Sequence, residues 1–162
     1  MIEQEYTLEE IAYSQKEDCR IMEAVLLKWF QNPKDLNFVS PSISYPFKFK
    51  KWISKFYFKK GHTIKTKILI YKKWIIGHIS LEFEENNSKI FHLFIDNQYR
   101  NNGLGNKMIK EMEIFSISNG INTFITNISQ KNQIAINLFN KRGYEKSGIT
   151  KNGLIRMCKK NN

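Results

Sequence analysis

The segment Arg100-Asn101-Asn102-Gly103-Leu104-Gly105-Asn106 stands between an apolar run at 90–95 and a stretch with helical spacing that begins at Leu104. An apolar strand, a glycine-bearing turn and then a helix is an arrangement that holds phosphate. The glycines let backbone N–H groups face an anion, and the helix N-terminus adds unpaired donors and a partial positive charge. Two other phosphate motifs do not fit. A dinucleotide fingerprint needs a third glycine where Met108 stands, and a P-loop needs Gly-Lys-Ser/Thr where Gly105-Asn106-Lys107 stands. Taken alone, Gly103-Leu104-Gly105 also suits a plain turn, because glycine is the ordinary residue wherever positive φ is required.

A second set of residues could move protons. Ile75, Gly77, Ile79, Leu81 and Phe83 occupy alternate positions, so His78, Ser80, Glu82 and Glu84 share the opposite face of a strand. A histidine beside carboxylates could receive an amine, which makes His78 and Glu82 the candidate catalytic acid–base residues. A solvated sheet face is the ordinary alternative. His92, inside the apolar run, reads as a core histidine, since a buried ring must find hydrogen-bond partners.

The elements that would position these residues follow from hydrophobic spacing. Residues 6–13 suggest a strand, and 17–31 a helix with Met22, Val25, Leu26 and Trp29 on one face and Pro33 at its exit. Pro46 opens a second helix to about Tyr57, striped by Phe49, Trp52, Ile53 and Phe56. The period then changes to two, with Ile64, Thr66, Ile68 and Ile70 facing 75–83 across a turn at Lys72-Lys73. The run 90–95 suits a central strand, followed by a helix from Leu104 to about Ser118 that stops at Asn119-Gly120. A short strand at 121–127, a helix at 131–141 and two strands at 144–149 and 154–158 close the chain. One helix between the strands at 90–95 and 121–127 implies that this pair is parallel. The expected fold class is α/β of the α+β kind: a mixed, mostly antiparallel sheet of about seven strands with a parallel central pair and about four flanking helices. Nothing divides the chain, so 1–162 reads as one domain.

Two stretches carry a family resemblance. Leu93-Phe94-Ile95-Asp96-Asn97-Gln98-Tyr99-Arg100-Asn101-Asn102-Gly103-Leu104-Gly105 resembles the first signature of the GNAT family of N-acetyltransferases, an apolar strand followed by Tyr-Arg-x-x-Gly-x-Gly at a helix start. Asn132-Gln133-Ile134-Ala135-Ile136-Asn137-Leu138-Phe139-Asn140-Lys141-Arg142-Gly143-Tyr144 is similar to its second, Asn-x-x-Ala-x-x-Leu-Tyr-x-x-x-Gly-Phe. The resemblance covers 61–158 well and the first sixty residues only in helix number. It implies a GNAT-like fold and acetyl-CoA as acyl donor, with no metal. Backbone groups of Leu93, Phe94 and Ile95 would pair with the pantetheine arm as an added strand does. Amides of Asn101, Asn102, Gly103, Leu104, Gly105 and Asn106 would hold the pyrophosphate, and Asn132 would hydrogen-bond the arm. Arg100 would either contact phosphate or face solvent as a turn residue.

The catalytic pattern departs from the family's at two places. A tyrosine that protonates the leaving thiolate in many members is Phe139 here, leaving an apolar wall beside the thioester, and a glutamate that serves some members as base is Asn127. General acid–base help is typically worth about 10²- to 10⁴-fold, and orientation of amine and thioester can supply more, so transfer to a primary amine of a small molecule, a peptide N-terminus or a lysine remains the expected activity. The departures equally motivate a non-catalytic acyl-CoA-binding module.

Lys and Arg number 26 against 15 Asp and Glu, a formal charge of +11, which motivates a third reading as a ribosome- or nucleic-acid-associated protein. The positive residues are dispersed through 48–73 and 141–160, and the aromatics among them follow a helical stripe, so a nucleic-acid footprint is not expected. The acidic start at 1–5 lacks the features of a signal peptide, and no apolar run approaches the roughly 18 residues of a spanning helix; a cytoplasmic protein without membrane association is expected. Cys19 and Cys158 stand far apart and read as buried or idle thiols. If copies associate, a homodimer is the usual form.

Overall fold

The computed structural model of the protein describes residues 5–162, so most of the acidic start lies outside the described residues. Seven strands form one sheet: β1 at Tyr6–Ile11, β2 at Thr63–Tyr71, β3 at Trp74–Phe83, β4 at Ser88–Ile95, β5 at Thr123–Ile128, β6 at Glu145–Ile149 and β7 at Ile155–Lys160. Their order is β1-β2-β3-β4-β5-β7-β6. Among the described residues only the β4–β5 pair is parallel. Its cause is the helix between those strands, α4 at Leu104–Ser118, which returns the chain to the end of the sheet where β4 began.

Among the described residues there are five α-helices, one more than the spacing suggests. The others are α1 at Lys16–Trp29, α2 at Pro33–Val39, α3 at Phe49–Phe56 and α5 at Gln133–Lys141. The addition is α2, and it corrects the reading of Pro33 as a helix exit. Proline at a first turn lacks only an N–H that would be unpaired there, and Asn32 Oδ1 caps the same turn by accepting from Lys34 N at 2.9 Å. Pro46 does not open a helix either; α3 begins later, with Lys48 at its N-cap.

Two cores flank the sheet. Leu104, Met108, Ile109 and Met112 of α4 and Phe139 of α5 pack on one face against Leu69, Ile79, Leu81 and Ile90. Each such side chain, fully buried, contributes roughly 1.5–3 kcal/mol of transfer free energy. Met22, Leu26 and Trp29 of α1, Leu36 of α2 and Trp52 and Ile53 of α3 form the other core, against Ile68 and Phe94. The apolar stripe of α3 is therefore core, as its spacing suggests. Among the described residues no helix is long and apolar enough to cross a membrane.

Gly77 of β3 sets how closely α4 can approach. A Cβ there would lie 3.0 Å from Met108 Sδ, 3.0 Å from Ile95 Cδ1 and 3.1 Å from Leu69 Cβ. Its role is close packing beneath the helix whose N-terminus carries the glycine-rich segment.

Candidate functional site

β4 changes character half-way along. It pairs with β5 only at Ser88↔Phe124 and Lys89↔Ile125, with one further tie where Thr126 Oγ1 donates to Ile90 O at 2.9 Å. Beyond Ile90 its main-chain groups that point toward β5 have no strand partner among the described residues. On its other side the register with β3 passes from Ser80↔Phe91 to His78↔Phe94, so β4 carries an extra residue there, a β-bulge. His92 in that bulge has φ +52°, a left-handed conformation uncommon outside glycine. Packing records the same shift: Ile90 lies in the α4 core and Phe94 in the α1 core, although residues four apart on a regular strand share a face.

Side chains hold the bulge from the α1–α3 face. His92 O accepts from His78 Nδ1 at 2.7 Å, which fixes the His78 proton on that nitrogen and leaves Nε2 to accept from Tyr13 Oη at 2.8 Å. His92 Nδ1 lies 2.8 Å from Tyr57 Oη and its Nε2 3.0 Å from Ser40 Oγ. Tyr57 Oη also meets Ser80 Oγ at 2.8 Å, and Ser80 meets Thr66 Oγ1 at 2.8 Å. Trp52 stacks on the His92 ring with centroids 3.8 Å apart. Burial pushes His78 down to about 4; burial, then His78 and Lys89, hold His92 well below the usual histidine range. Both rings are neutral near pH 7.

These contacts correct the picture of a solvated face at 78–84. His78 is 1% exposed, Ser80 is fully buried and Glu82 is 6% exposed, with Tyr13 and Trp52 against His78, Tyr57 against Ser80 and His62 against Glu82; of the four, only Glu84 is exposed. Both nitrogens of His78 are occupied, so neither is left for an incoming amine. Glu82 is paired with His62. His92 is the hydrogen-bonded core histidine its surroundings suggest.

The glycine-rich segment leads from β4 into α4. A short 3₁₀ turn at Asn97–Tyr99 precedes it, and Gly103 is the α4 N-cap at φ +73°. Among the described residues no side chain caps this end. Lys107 N donates to Gly103 O at 3.1 Å, so the amides of Leu104, Gly105 and Asn106 lie ahead of any intrahelical carbonyl. A Cβ at Gly103 would meet nothing within 4 Å, whereas one at Gly105 would come within 3.0 Å of Leu138 in α5. Arg100 turns inward: its Nε donates to Ile95 O at 2.8 Å, Nη2 lies 3.7 Å from Asp35 Oδ1, and the guanidinium sits 5.0 Å from the Phe94 ring centroid. Asn102 Nδ2 donates to Tyr99 O at 3.1 Å, while Asn101 takes φ +65°.

The first turn of α4 is tied to the other arm of the sheet. Arg142 Nη1 donates to Asn106 Oδ1 at 2.8 Å, and its Nη2 reaches Glu113 Oε1 at 2.5 Å. Glu113, 4% exposed, also accepts from Lys159 Nζ at 3.1 Å and from Tyr144 Oη at 2.7 Å. At α5, Asn132 Oδ1 caps the helix by accepting from Ala135 N at 3.2 Å. Phe139 is 3% exposed and meets Tyr144 edge-on at 4.9 Å, inside the core. Asn127, near the end of β5, has a buried Oδ1 with no hydrogen-bond partner among the described residues. A separate groove of about 610 Å³, lined by Trp29, Trp74, Phe94 and Asp96 among others, lies on the β3 side of β4, away from the diverging edge.

A strand running into an uncapped helix N-terminus is the geometry that the first sequence signature describes. The family model for the acetyltransferase (GNAT) domain matches residues 48–155. The chain belongs to the GNAT family of acetyltransferases. Solved structures share its fold. A PaiA N-acetyltransferase from Thermoplasma acidophilum, in complex with coenzyme A, superposes with a TM-score of 0.72 at 17% identity over 97% of this chain and 99% of that one. A family acetyltransferase from Elizabethkingia anophelis with acetyl-CoA bound gives 0.67 at 14% identity, covering 96% and 98%. A domain from Methanocaldococcus jannaschii gives 0.75 at 15%, covering 98% and 100%. No curated protein matches the chain in sequence.

The structure brings the glycine-rich segment and Asn132 to one end of the sheet, after the parallel strands β4 and β5; the His92 bulge and the partners that hold it were not legible in the sequence. The only signal for the bulge was a histidine within an apolar run. Asn127 stood out in the sequence only as a departure from the family's base position; that its oxygen lacks a partner among the described residues shows only in the structure.

Proposed function

We propose that this acetyltransferase takes acetyl-CoA as donor and a primary amine as acceptor. The observation that carries the reading is the β4 edge beyond Ile90, unpaired toward β5 and continuous with the uncapped amides of Leu104, Gly105 and Asn106. Amide groups of the pantetheine arm would bond main-chain groups of Leu93, Phe94 and Ile95, completing the sheet locally. The pyrophosphate would lie at the α4 N-terminus, where donors and helix dipole favour an anion. Open space at a Gly103 Cβ fits a phosphate approaching there.

The thioester supplies an activated acyl group. The chain's contribution is orientation: an amine held in line with the carbonyl gains the advantage of a unimolecular reaction. His78 and His92 are buried with both ring nitrogens hydrogen-bonded, Glu82 is paired with His62, and Phe139 lacks a hydroxyl, so none of these four supplies the acid or the base. The reactive species is therefore the free amine, and its proton leaves to solvent.

Two measurements test this. Calorimetry should give a micromolar acetyl-CoA Kd for wild type and a clear loss for Gly103→Val, which puts a branched side chain beside the phosphate site and into left-handed backbone. Unchanged affinity would remove the phosphate assignment. An amine panel then tests turnover, where kcat/KM should rise with pH toward the acceptor's own pKa. Binding without acetylation of any amine would favour the second reading, a non-catalytic acyl-CoA-binding module, which Phe139 and Asn127 motivate.

A further inference from the structure

Asn106, the third residue of α4, is held by a side chain from the far end of α5. Arg142 is the C-cap of that helix, and its Nη1 donates to Asn106 Oδ1 at 2.8 Å. A guanidinium has donors only, so the amide can meet it in one orientation, oxygen inward. Nδ2 of this exposed asparagine then turns away from Arg142, without a partner among the described residues. Side chains on a helix lean toward its N-terminus, which carries the amide toward the end where Leu104 and Gly105 leave their own N–H groups free. Arg142 is itself fixed from below. Its Nη2 meets Glu113 Oε1 at 2.5 Å, and the buried Glu113 is shared with Lys159 and Tyr144. With its side chain only 14% exposed and its Nε buried, the guanidinium acts at the surface through Asn106. A buried charge network is weak evidence for stability; what this one supplies is a fixed direction for one exposed amide.

We propose that Arg142 is a positioning residue for the acyl donor: it holds Asn106 Oδ1 so that Asn106 Nδ2 donates to a phosphate oxygen at the α4 N-terminus. This rests on the reading of that end as the pyrophosphate site. The side-chain N–H adds to the main-chain donors of Leu104, Gly105 and Asn106. An untethered asparagine could as readily turn its oxygen to the anion, or bend back onto the free main-chain N–H groups and occupy donors that phosphate needs. Arg142 removes both alternatives. The contact is the same in the donor complex and in the transition state, so it lowers KM without raising kcat.

Calorimetry with CoA on wild type, Asn106→Ala, Arg142→Met and the double variant tests this. Asn106→Ala should weaken CoA about 10-fold, near the lower end for a hydrogen bond to a charged group, with little change in Tm because the residue is exposed. Arg142→Met should weaken CoA about 3- to 10-fold when Asn106 is present, the cost of ordering one side chain on binding, but less than about 2-fold when position 106 is alanine. A purely structural role, or a general effect of the positive charge, would cost affinity equally in both backgrounds. Asn106→Asp keeps an oxygen for Arg142 and loses the N–H, so it should hold or raise Tm while losing at least as much affinity as the alanine variant. Arg142→Gln, which both donates and accepts and so cannot fix the amide, replaces Arg142→Met should that fail to fold. Unchanged CoA affinity in Asn106→Ala or Asn106→Asp, or an Arg142 effect undiminished beside Asn106→Ala, overturns the proposal. Loss of CoA binding in Gly103→Val with none in Asn106→Ala would leave the phosphate site standing without this contact. No binding by wild type, or full binding by Gly103→Val, would remove the phosphate site itself and this proposal with it.

Discussion

The left-handed backbone at His92 gives an unusual sign to a simple comparison. Replacing His92 by alanine or by glycine removes the same ring, with its contacts to Tyr57, Ser40 and Trp52, and each variant should lose about 3 kcal/mol or more. The two differ in backbone. In an ordinary strand glycine is less stable than alanine by roughly 0.5–1 kcal/mol, because it has more freedom to lose. At φ +52° a residue with a Cβ carries about 1–2 kcal/mol of strain that glycine does not. The difference favours glycine by about 0.5–1 kcal/mol. Urea denaturation at pH 7, with equal slopes for the two variants, measures it directly. If His92→Ala proves as stable as His92→Gly, or more so, the bulge is not held in the left-handed region and the account of the β4 edge loses its foundation.

Gly77→Ala should destabilise the fold by about 1–3 kcal/mol in denaturant melts, since its Cβ would press on Met108, Ile95 and Leu69 at once; an unchanged midpoint would contradict the packing of α4. Glu113→Ala should cost about 3 kcal/mol by leaving Arg142 and Lys159 without their shared carboxylate, read as a fall in Tm. A rise in Tm would contradict it. Stability should also fall in mild acid. His78 binds its proton near pH 6.5 when unfolded but only near 4 when folded, so the unfolded state takes up more protons between those values; His92 acts in the same direction. The stabilisation is full above pH 6.5, declines through the window and is gone below 4, a change of about 3 kcal/mol for His78 alone. Phe or Gln at His78 should flatten that part of the stability–pH curve, and an unaltered slope would refute the assignment.

Much of the sheet was legible because its pattern is local. The hairpin of β2 and β3 follows from alternation around Lys72-Lys73, and the parallel pair follows from one helix between two strands. What escaped depends on distant parts of the chain. α2 is too short to show periodicity, and Pro33 reads equally as a stop or a start until Asn32 is seen to cap it. His78, Ser80 and Glu82 look like a wet face in the strand alone; they are dry because Tyr13, Trp52, Tyr57 and His62, from other parts of the chain, lie against them. Arg100 looked like either a phosphate ligand or a surface residue, and its contacts with Ile95 O and Asp35 could not be foreseen because Asp35 arrives from α2. The glycines were legible as a turn, but not the division between them, in which Gly103 supplies the left-handed cap and Gly105 makes room for Leu138.

Amide hydrogen exchange with and without saturating acetyl-CoA tests the central claim most directly, because it reports on the backbone groups that the claim names. Ligand should slow exchange along the Leu93–Ile95 edge and at Leu104, Gly105 and Asn106, with little change on the outer strands β1 and β6. Protection confined to the groove beside Trp29 and Trp74, or none at these amides while the ligand is bound, would contradict the assignment of the β4 edge and the α4 N-terminus as the acyl-CoA site.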